Sequence, residues 1–331
     1  MSRPLMIFLS LLPCLLLVPF LISAQQKDSS YQAKRNAQGV KMIQVAGKYQ
    51  VWTQKVGQGK IKLLLLHGGP VNTHEYMENF PEHLNPAEVE VYFYDQLGSY
   101  YSDQPGDSTL WHIDRFVEEV EQVRQGLGLK DFYLLGHSWG GMLALEYAAK
   151  YGQHLKGLIV SNMGYRASSH NAYRRGLYSS IANSHEVKRL LEQKQQGGNV
   201  PDSVIKQVIS KHFEEQHVLR LSQPPEPYDR NYQHINRKDR FRFALLNEMD
   251  QWDFSNRLAL VQMPTLLLGA KYDFIPTGDY YQMSKRMRQS RVYICPEGSH
   301  FAMWDDSQHY FEALIRFFKD VEDKKFTKNN K

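Results

Sequence analysis

The chain has 331 residues, a formal net charge of +5, and apolar and charged fractions of 42% and 23%. These values are typical of a soluble globular protein with one large domain or two small ones. Basic residues cluster only in the tail, residues 321–331, so the charge pattern argues against a nucleic-acid partner. Zinc-binding H-E-x-x-H and C-x-x-C motifs and a phosphate-binding glycine loop are absent from the sequence. We therefore expect chemistry that needs no metal and no other cofactor.

Residues 1–24 differ in composition from the rest of the chain. Arg3 precedes a nearly continuous apolar run over residues 5–22, and Ser23 and Ala24 supply small residues before two glutamines. This pattern predicts a cleaved signal peptide and an exported protein with no membrane contact afterwards. The alternative is a retained membrane anchor, because about 18 apolar residues almost span a bilayer. Cleavage would leave Cys295 without a disulfide partner in the chain.

The polar residues 25–39 predict a flexible arm, and the following segments alternate between strand and helix patterns. Residues 40–46 and 49–56 alternate as an antiparallel pair. The sequence predicts further strands at 61–66, 89–94, 132–136, 155–160, 263–269 and 290–295, and helices at 75–84, 113–127, 142–150 and 278–287. Strands that alternate with helices predict a mostly parallel sheet with helices on both faces, an α/β fold.

The alternation stops between residues 165 and 250. Polar and aromatic-rich helical segments replace the strand patterns there, and the strands resume afterwards. We interpret this stretch as a helical cap inserted into one α/β core. The core then comprises residues 40–164 and 251–320, followed by a basic tail over residues 321–331.

Ser138 stands in the pattern G-x-S-x-G, between a predicted strand and a predicted helix. The pattern is typical of a sharp strand-to-helix turn, in which glycines two residues on either side avoid clashes. Such a turn presents the serine hydroxyl at the amino end of a helix, which favours developing negative charge. Ser138 is therefore the predicted nucleophile.

A serine nucleophile needs a base, and the base needs an acid to orient it. Asp273 and His300 each follow a later core strand, in the order Ser, Asp, His that this motif requires. Asp95, at the end of another strand, is the alternative acid. Among the other histidines, we expect His137 to pack in the core and His67 to shape the loop that contains it.

Two backbone N–H groups are expected to bind the oxyanion of the tetrahedral intermediate. One belongs to Trp139, the residue after the predicted nucleophile. The other comes from the His-Gly-Gly-Pro loop after the third strand, where we favour Gly69 over Gly68.

Together these segments resemble the proline iminopeptidase branch of the α/β-hydrolases. The resemblance spans about residues 60–320 and rests on the runs at 67–70, 94–98, 136–141, 155–161, 272–273 and 298–304. It implies an α/β-hydrolase fold and an exopeptidase that removes an N-terminal residue, often proline, from short peptides. It also implies a triad of Ser138, Asp273 and His300, and a cap that limits substrate length.

The chain departs from this family at three positions. Val71 and Tyr100 stand where relatives carry glycine, and Phe274 stands where some relatives place a glutamate that holds the substrate amine. A buried ammonium group needs a counter-charge. Glu248 and Asp250, near the end of the predicted cap, are the candidates.

Two alternatives remain open at this stage. A carboxylesterase or amidase for small uncharged acyl compounds would share the triad but lack an amine site. A non-catalytic binding protein would use the capped pocket alone. Nothing in the sequence predicts an oligomeric state.

Overall fold

The computed structural model describes residues 31–236 and 242–328, and its centre is one eight-stranded sheet. The strands are β1 Val40–Val45, β2 Tyr49–Val56, β3 Ile61–Leu66, β4 Val89–Tyr94, β5 Phe132–His137, β6 Leu155–Ser161, β7 Thr265–Ala270 and β8 Ser290–Cys295. Their order in the sheet is β1-β2-β4-β3-β5-β6-β7-β8. β2 pairs antiparallel with β1 and β4, and all other pairs are parallel. This is the predicted α/β architecture.

The strands in the middle of the sheet are buried along almost all of their length because helices cover both faces. All six residues of β4, β5 and β7 are buried, as expected for continuous apolar runs in a parallel sheet. The carboxyl ends of β3, β5, β7 and β8 meet at one edge, which is where such sheets place ligand sites.

Eleven labelled helices lie within the described residues. They are α1 Phe80–Leu84, α2 Ile113–Leu127, α3 Trp139–Tyr151, α4 Ala167–Ala182, α5 His185–Gln195, α6 Asp202–Phe213, α7 Glu226–His234, α8 Arg242–Asp250, α9 Thr277–Arg286, α10 Ala302–Asp305 and α11 Ser307–Glu322. α2 has the predicted bounds, and Gly128 ends it at φ 68°, where its N–H bonds the carbonyls of Arg124 and Gln125.

The prediction of one helix over residues 75–84 is wrong. The structure instead has a 3-10 turn at Glu75–Met77, and α1 begins at Phe80. Pro81 in the first turn of α1 explains the break. Its ring would clash with the carbonyl of Met77 in a continuous helix, whereas proline suits a helix start.

Helices α4 to α8 lie between β6 and β7 in the chain, and these two strands pair directly in the sheet. The insertion therefore leaves the sheet uninterrupted. Its outer part is lightly packed: Val187 is the only buried residue in α5, and α6 buries Ile205 and Phe213. A π-helical turn, Glu214–Val218, follows α6 directly.

The described end of the predicted flexible arm is packed against the core. Residues 31–35 are helical. Lys34 Nζ lies 2.6 Å from a carboxylate oxygen of Glu78, and Arg35 donates a hydrogen bond to the carbonyl of Tyr101 at 3.0 Å. These contacts explain why this part of the predicted arm is packed against the core and is not flexible.

The predicted signal peptide, residues 1–24, lies outside the described residues. Within residues 31–236 and 242–328, no helix is long and apolar enough to cross a membrane. At the other end, α11 continues to Glu322, and Phe326 in the predicted tail packs edge-on against Phe317 with the ring centres 5.4 Å apart.

Candidate active site

Ser138 occupies a strained turn between β5 and α3. Its φ of 56° and ψ of −125° lie in a region that residues with a side chain rarely adopt. The flanking glycines allow the turn. A Cβ on Gly136 would come within 2.0 Å of the carbonyl oxygen of Gly140, and one on Gly140 within 2.2 Å of that of Leu66. The strain and the close packing hold the half-buried Ser138 at the sheet edge.

Asp273 and His300 form a buried pair on the loops after β7 and β8. The Nδ1 of His300 lies 2.9 Å from Oδ1 of Asp273, and the two residues are 5% and 1% exposed. Oδ1 also accepts the N–H of Ile275 at 3.1 Å, and Oδ2 accepts the side-chain amide of Asn162 at 2.8 Å. Because the carboxylate only accepts, Nδ1 of His300 carries the proton and Nε2 is left as the basic nitrogen.

His137, which precedes Ser138 in the chain, contacts His300 directly. The Nε2 of His137 donates to the backbone carbonyl of His300 at 2.8 Å, and the two rings lie 4.9 Å apart. Within the described residues, Ser138 Oγ and His300 Nε2 make no hydrogen bond. Such a bond is often long in a free enzyme and tightens with substrate.

His137 also links this pair to the His-Gly-Gly-Pro loop. Its Nδ1 lies 2.9 Å from the hydroxyl of Tyr76, which accepts the N–H of Gly68 at 2.6 Å. Burial and the charge of His300 hold the pKa of His137 well below its usual value, so the ring is neutral. Sequence reasoning predicted packing for His137 but did not predict this bridge.

Two N–H groups are left for an oxyanion, one on this loop and one at the start of α3. The N–H of Gly68 is used by Tyr76, whereas those of Gly69 and Trp139 donate no hydrogen bond within residues 31–236 and 242–328. His67 holds the loop, since its Nδ1 lies 2.8 Å from the carbonyl of Gly68 and its Nε2 accepts the N–H of Gln96 at 3.1 Å. Burial lowers the pKa of His67. This arrangement favours Gly69 over Gly68.

Asp95, the alternative acid, pairs with a different histidine. Its Oδ1 accepts the N–H of His74 at 2.7 Å and lies 2.8 Å from His74 Nδ1. Burial disfavours the charge on His74, but Asp95 outweighs it and raises the pKa of His74. Of the two carboxylates, only Asp273 contacts His300.

The three departures from the family lie in different surroundings. Val71 is buried with φ 68°, which is an outlier for a β-branched residue. Tyr100 stacks on His234 of α7 with the ring centres 4.0 Å apart, so it lies at the junction of core and cap. The ring of Phe274 lies 4.2 Å from that of His300. Phe274 is therefore the departure in direct contact with the predicted triad.

The two predicted amine-binding carboxylates are not side by side. Glu248 accepts the N–H of Ile113 at 3.1 Å, at the start of α2, and lines a surface pocket that contains none of the predicted triad. Asp250 lies 3.5 Å from the amide nitrogen of Asn171 on α4, and its charge reaches the neighbouring His170. The charge of His300 also acts on His170, which links Asp250 to the surroundings of the predicted triad.

Sequence reasoning missed Glu214, a carboxylate on the π-helical turn. It accepts the hydroxyl of Tyr228 at 2.7 Å, and the ring of Tyr228 lies 4.9 Å from that of Phe301. The carbonyl of His217 in the same turn accepts the N–H of His300 at 3.2 Å. Within the described residues, Glu214 has no ion-pair partner. Glu214 could not be identified from the sequence because a π-helical turn has no recognisable sequence pattern.

Asn162 was also missed, although it supports Asp273 directly. It follows β6 at φ 51°, and its side-chain amide bridges Asp273 Oδ2 and the carbonyl of Ser299 at 2.8 and 3.1 Å. Asparagine tolerates this left-handed conformation better than most residues. An asparagine directly after a core strand was the only available signal.

A serine in a strained strand-to-helix turn beside a buried Asp–His pair is characteristic of the α/β-hydrolases. Residues 62–307 match the family model described as alpha/beta hydrolase fold. The chain is 43% identical over 290 residues to proline iminopeptidase of Flavobacterium johnsoniae, which covers 84% of this chain and 97% of the relative. It is 41% identical over 292 residues to proline iminopeptidase of Elizabethkingia meningoseptica, covering 85% and 97%.

Solved structures share the fold. Proline iminopeptidase of Mycobacterium smegmatis matches with a TM-score of 0.76 at 20% identity, over 86% of this chain and 99% of the other. VinJ matches with a TM-score of 0.73 at 22% identity over the same shares. The chain belongs to the α/β-hydrolase fold family, and within it to the proline iminopeptidases.

Proposed function

We propose that the protein is a serine exopeptidase that releases N-terminal residues, preferably proline, from short peptides. The observation that carries the proposal is the geometry at the sheet edge. Ser138 lies in a strained elbow beside a buried Asp273–His300 pair, in a chain of the proline iminopeptidase family. Relatives with that name match this chain over almost their whole length.

The proposed mechanism uses each group in turn. Ser138 Oγ attacks the carbonyl carbon of the N-terminal residue while Nε2 of His300 takes its proton. The N–H groups of Gly69 and Trp139 stabilise the resulting oxyanion, each by about 3 kcal/mol. His300 then gives its proton to the leaving amine, and a water that His300 activates hydrolyses the acyl-enzyme. Asp273 stabilises the imidazolium throughout.

Selectivity for a free N-terminus requires a negative charge near the acyl site. Asp250 and Glu214 are the candidates that the structure supports. The charge of Asp250 acts on His170 of α4, and Glu214 lies on the turn whose backbone holds the His300 loop. We propose that one or both bind the substrate ammonium group.

The test is hydrolysis of prolyl-β-naphthylamide, its N-acetyl form and p-nitrophenyl acetate by the wild type and Ser138→Ala. Ser180→Ala, an exposed serine on α4, is the matched control. We expect turnover of the free-amine prolyl compound alone, abolished in Ser138→Ala and unchanged in Ser180→Ala. A preference for the blocked amide or the ester would instead support a carboxylesterase or amidase. Failure of a fluorophosphonate to label Ser138 would support a non-catalytic binding protein.

We also propose that residues 1–24 direct export and are removed. The apolar run after Arg3 and the small residues before Gln25 support this. N-terminal sequencing of protein from each cell fraction tests it. A mature chain that begins at Gln25 in the exported fraction is expected, and an intact chain in the membrane fraction would show an anchor instead.

A further inference from the structure

The inner face of the first cap helix, α4, carries a row of three side chains near the predicted triad. His170, Arg174 and Tyr178 are spaced four residues apart, so they share one face of the helix. Tyr178 stacks on Phe213 with the ring centres 4.2 Å apart, Phe213 contacts Phe274 at 5.8 Å, and Phe274 contacts His300 at 4.2 Å. This aromatic series connects the row to the predicted base.

Polar atoms in this row lack partners. The Nδ1 of His170 and the Nε of Arg174 are buried and have no hydrogen-bond partner within the described residues. The guanidinium of Arg174 donates to the side-chain oxygen of Asn171 at 3.1 Å, but no carboxylate of the described chain lies within ion-pair distance. Buried polar groups are nearly always satisfied in proteins. A ligand with oxygen acceptors would satisfy these.

Charges of opposite sign act on Tyr178. Arg174 precedes it by one helical turn, and Glu214 directly follows Phe213, on which Tyr178 stacks. Burial raises the pKa of the Tyr178 phenol, while the charge of Arg174 opposes that rise and the charge of Glu214 adds to it. Both charges therefore act on the same ring. The termini of an extended dipeptide are about 7 Å apart and also carry opposite charges.

We propose that Arg174 binds the C-terminal carboxylate of the substrate, so that dipeptides with a free carboxylate are the preferred substrate class. This inference rests on the proposed function. Burial, with the charges of Arg174 and His300, lowers the pKa of His170 to about 4, although the charge of Asp250 opposes this. Its ring is therefore neutral near pH 7, and Arg174 supplies the positive charge of this subsite.

The experiment compares Pro-Gly, Pro-Gly-amide and prolyl-β-naphthylamide as substrates of the full chain. The three share the N-terminal proline, but only Pro-Gly carries a carboxylate. The variants are Arg174→Gln and Arg174→Lys, and Arg175→Gln is the matched control because Arg175 is exposed on the same helix. Thermal unfolding of each variant checks that it folds.

We expect the wild type to prefer Pro-Gly over its amide, and Arg174→Gln to raise the KM for Pro-Gly about 10- to 100-fold. The same variant should change kcat/KM for the other two compounds less than about twofold, Arg174→Lys should restore part of the loss, and Arg175→Gln should change nothing. Equal losses on all three substrates, or a wild type indifferent to the carboxylate, would overturn the inference. Absence of wild-type turnover on every prolyl compound would instead overturn the proposed function and, with it, this subsite.

Discussion

The core side of the candidate site and the cap side differ in how their polar groups are satisfied. On the core side, Asp273 accepts three hydrogen bonds, and His137 is bonded at both ring nitrogens. On the cap side, the Nδ1 of His170 and the Nε of Arg174 are buried without partners among the described residues. The hydrogen bonds that hold Asp273 and His137 are formed before substrate binds, whereas those of His170 Nδ1 and Arg174 Nε are not.

This difference separates the groups that carry out the reaction from the groups that recognise the substrate. Groups that stabilise a transition state act best when they are fixed in advance, since reorganising them costs free energy during the reaction. Groups that recognise a substrate are completed by it. Substitutions on the core side should therefore lower kcat, and those on the free part of the cap should change KM for particular substrates.

The largest expected effect is that of Asp273→Asn. The amide would keep the size of the side chain but lose the charge that orients and stabilises His300. We expect kcat on prolyl-β-naphthylamide to fall about 10³- to 10⁴-fold with little change in KM. Steady-state kinetics measure both.

Asp95→Asn is the control for this variant. Asp95 is equally buried and also holds a histidine, His74, so its loss should lower the unfolding temperature while kcat falls less than about tenfold. The reverse ranking of the two variants would move the acid assignment from Asp273 to Asp95.

One helix of the cap, α7, is bonded to the core through charged and polar side chains. Arg230 on α7 contacts Glu75 at 2.7 Å and also pairs with Glu78, and His234 contacts Glu75 at 2.8 Å. Asn231 on the same helix accepts the N–H of Thr73 at 2.9 Å. α7 is therefore attached to the loop that follows the proposed oxyanion hole.

Glu75→Gln should break this attachment. Burial opposes ionisation of Glu75, but His234 and neighbouring donors outweigh it and lower the pKa of Glu75 to about 2. This lowered pKa corresponds to about 3 kcal/mol of stability near neutral pH. Urea unfolding at pH 7 should show a loss of that order, whereas Glu226→Gln, on the exposed partner of Arg230, should cost less than about 1 kcal/mol.

The same carboxyl group makes the free energy of unfolding of the wild type depend on pH. Its folded pKa lies below its unfolded value of 4.5, so its contribution is fully present above pH 4.5 and is lost as the pH falls towards 2. The free energy of unfolding of Glu75→Gln should fall less steeply across this window. Parallel slopes for variant and wild type would show that Glu75 does not carry the effect.

The sequence predicted the strands and the triad order because both depend on local signals. A buried apolar run such as Ile61–Leu66, or a pair of glycines around Ser138, can be recognised within a segment of about ten residues. The contacts of Arg230 with Glu75 and of Asn162 with Asp273 join residues 155 and 111 positions apart. No local pattern encodes such pairs, so the cap attachment and the support of Asp273 required the fold.

The smallest expected effects decide between the two predicted amine carboxylates, Glu248 and Asp250. Glu248 accepts an N–H at the start of α2, so Glu248→Gln should cost at most about 1 kcal/mol of stability and leave KM for prolyl-β-naphthylamide unchanged. Asp250→Asn removes a charge near His170 and should raise that KM without lowering stability comparably. If Glu248→Gln raised KM and Asp250→Asn did not, the substrate amine would bind near the start of α2. The substrate's N-terminus would then not be recognised by the part of the cap whose polar groups lack partners.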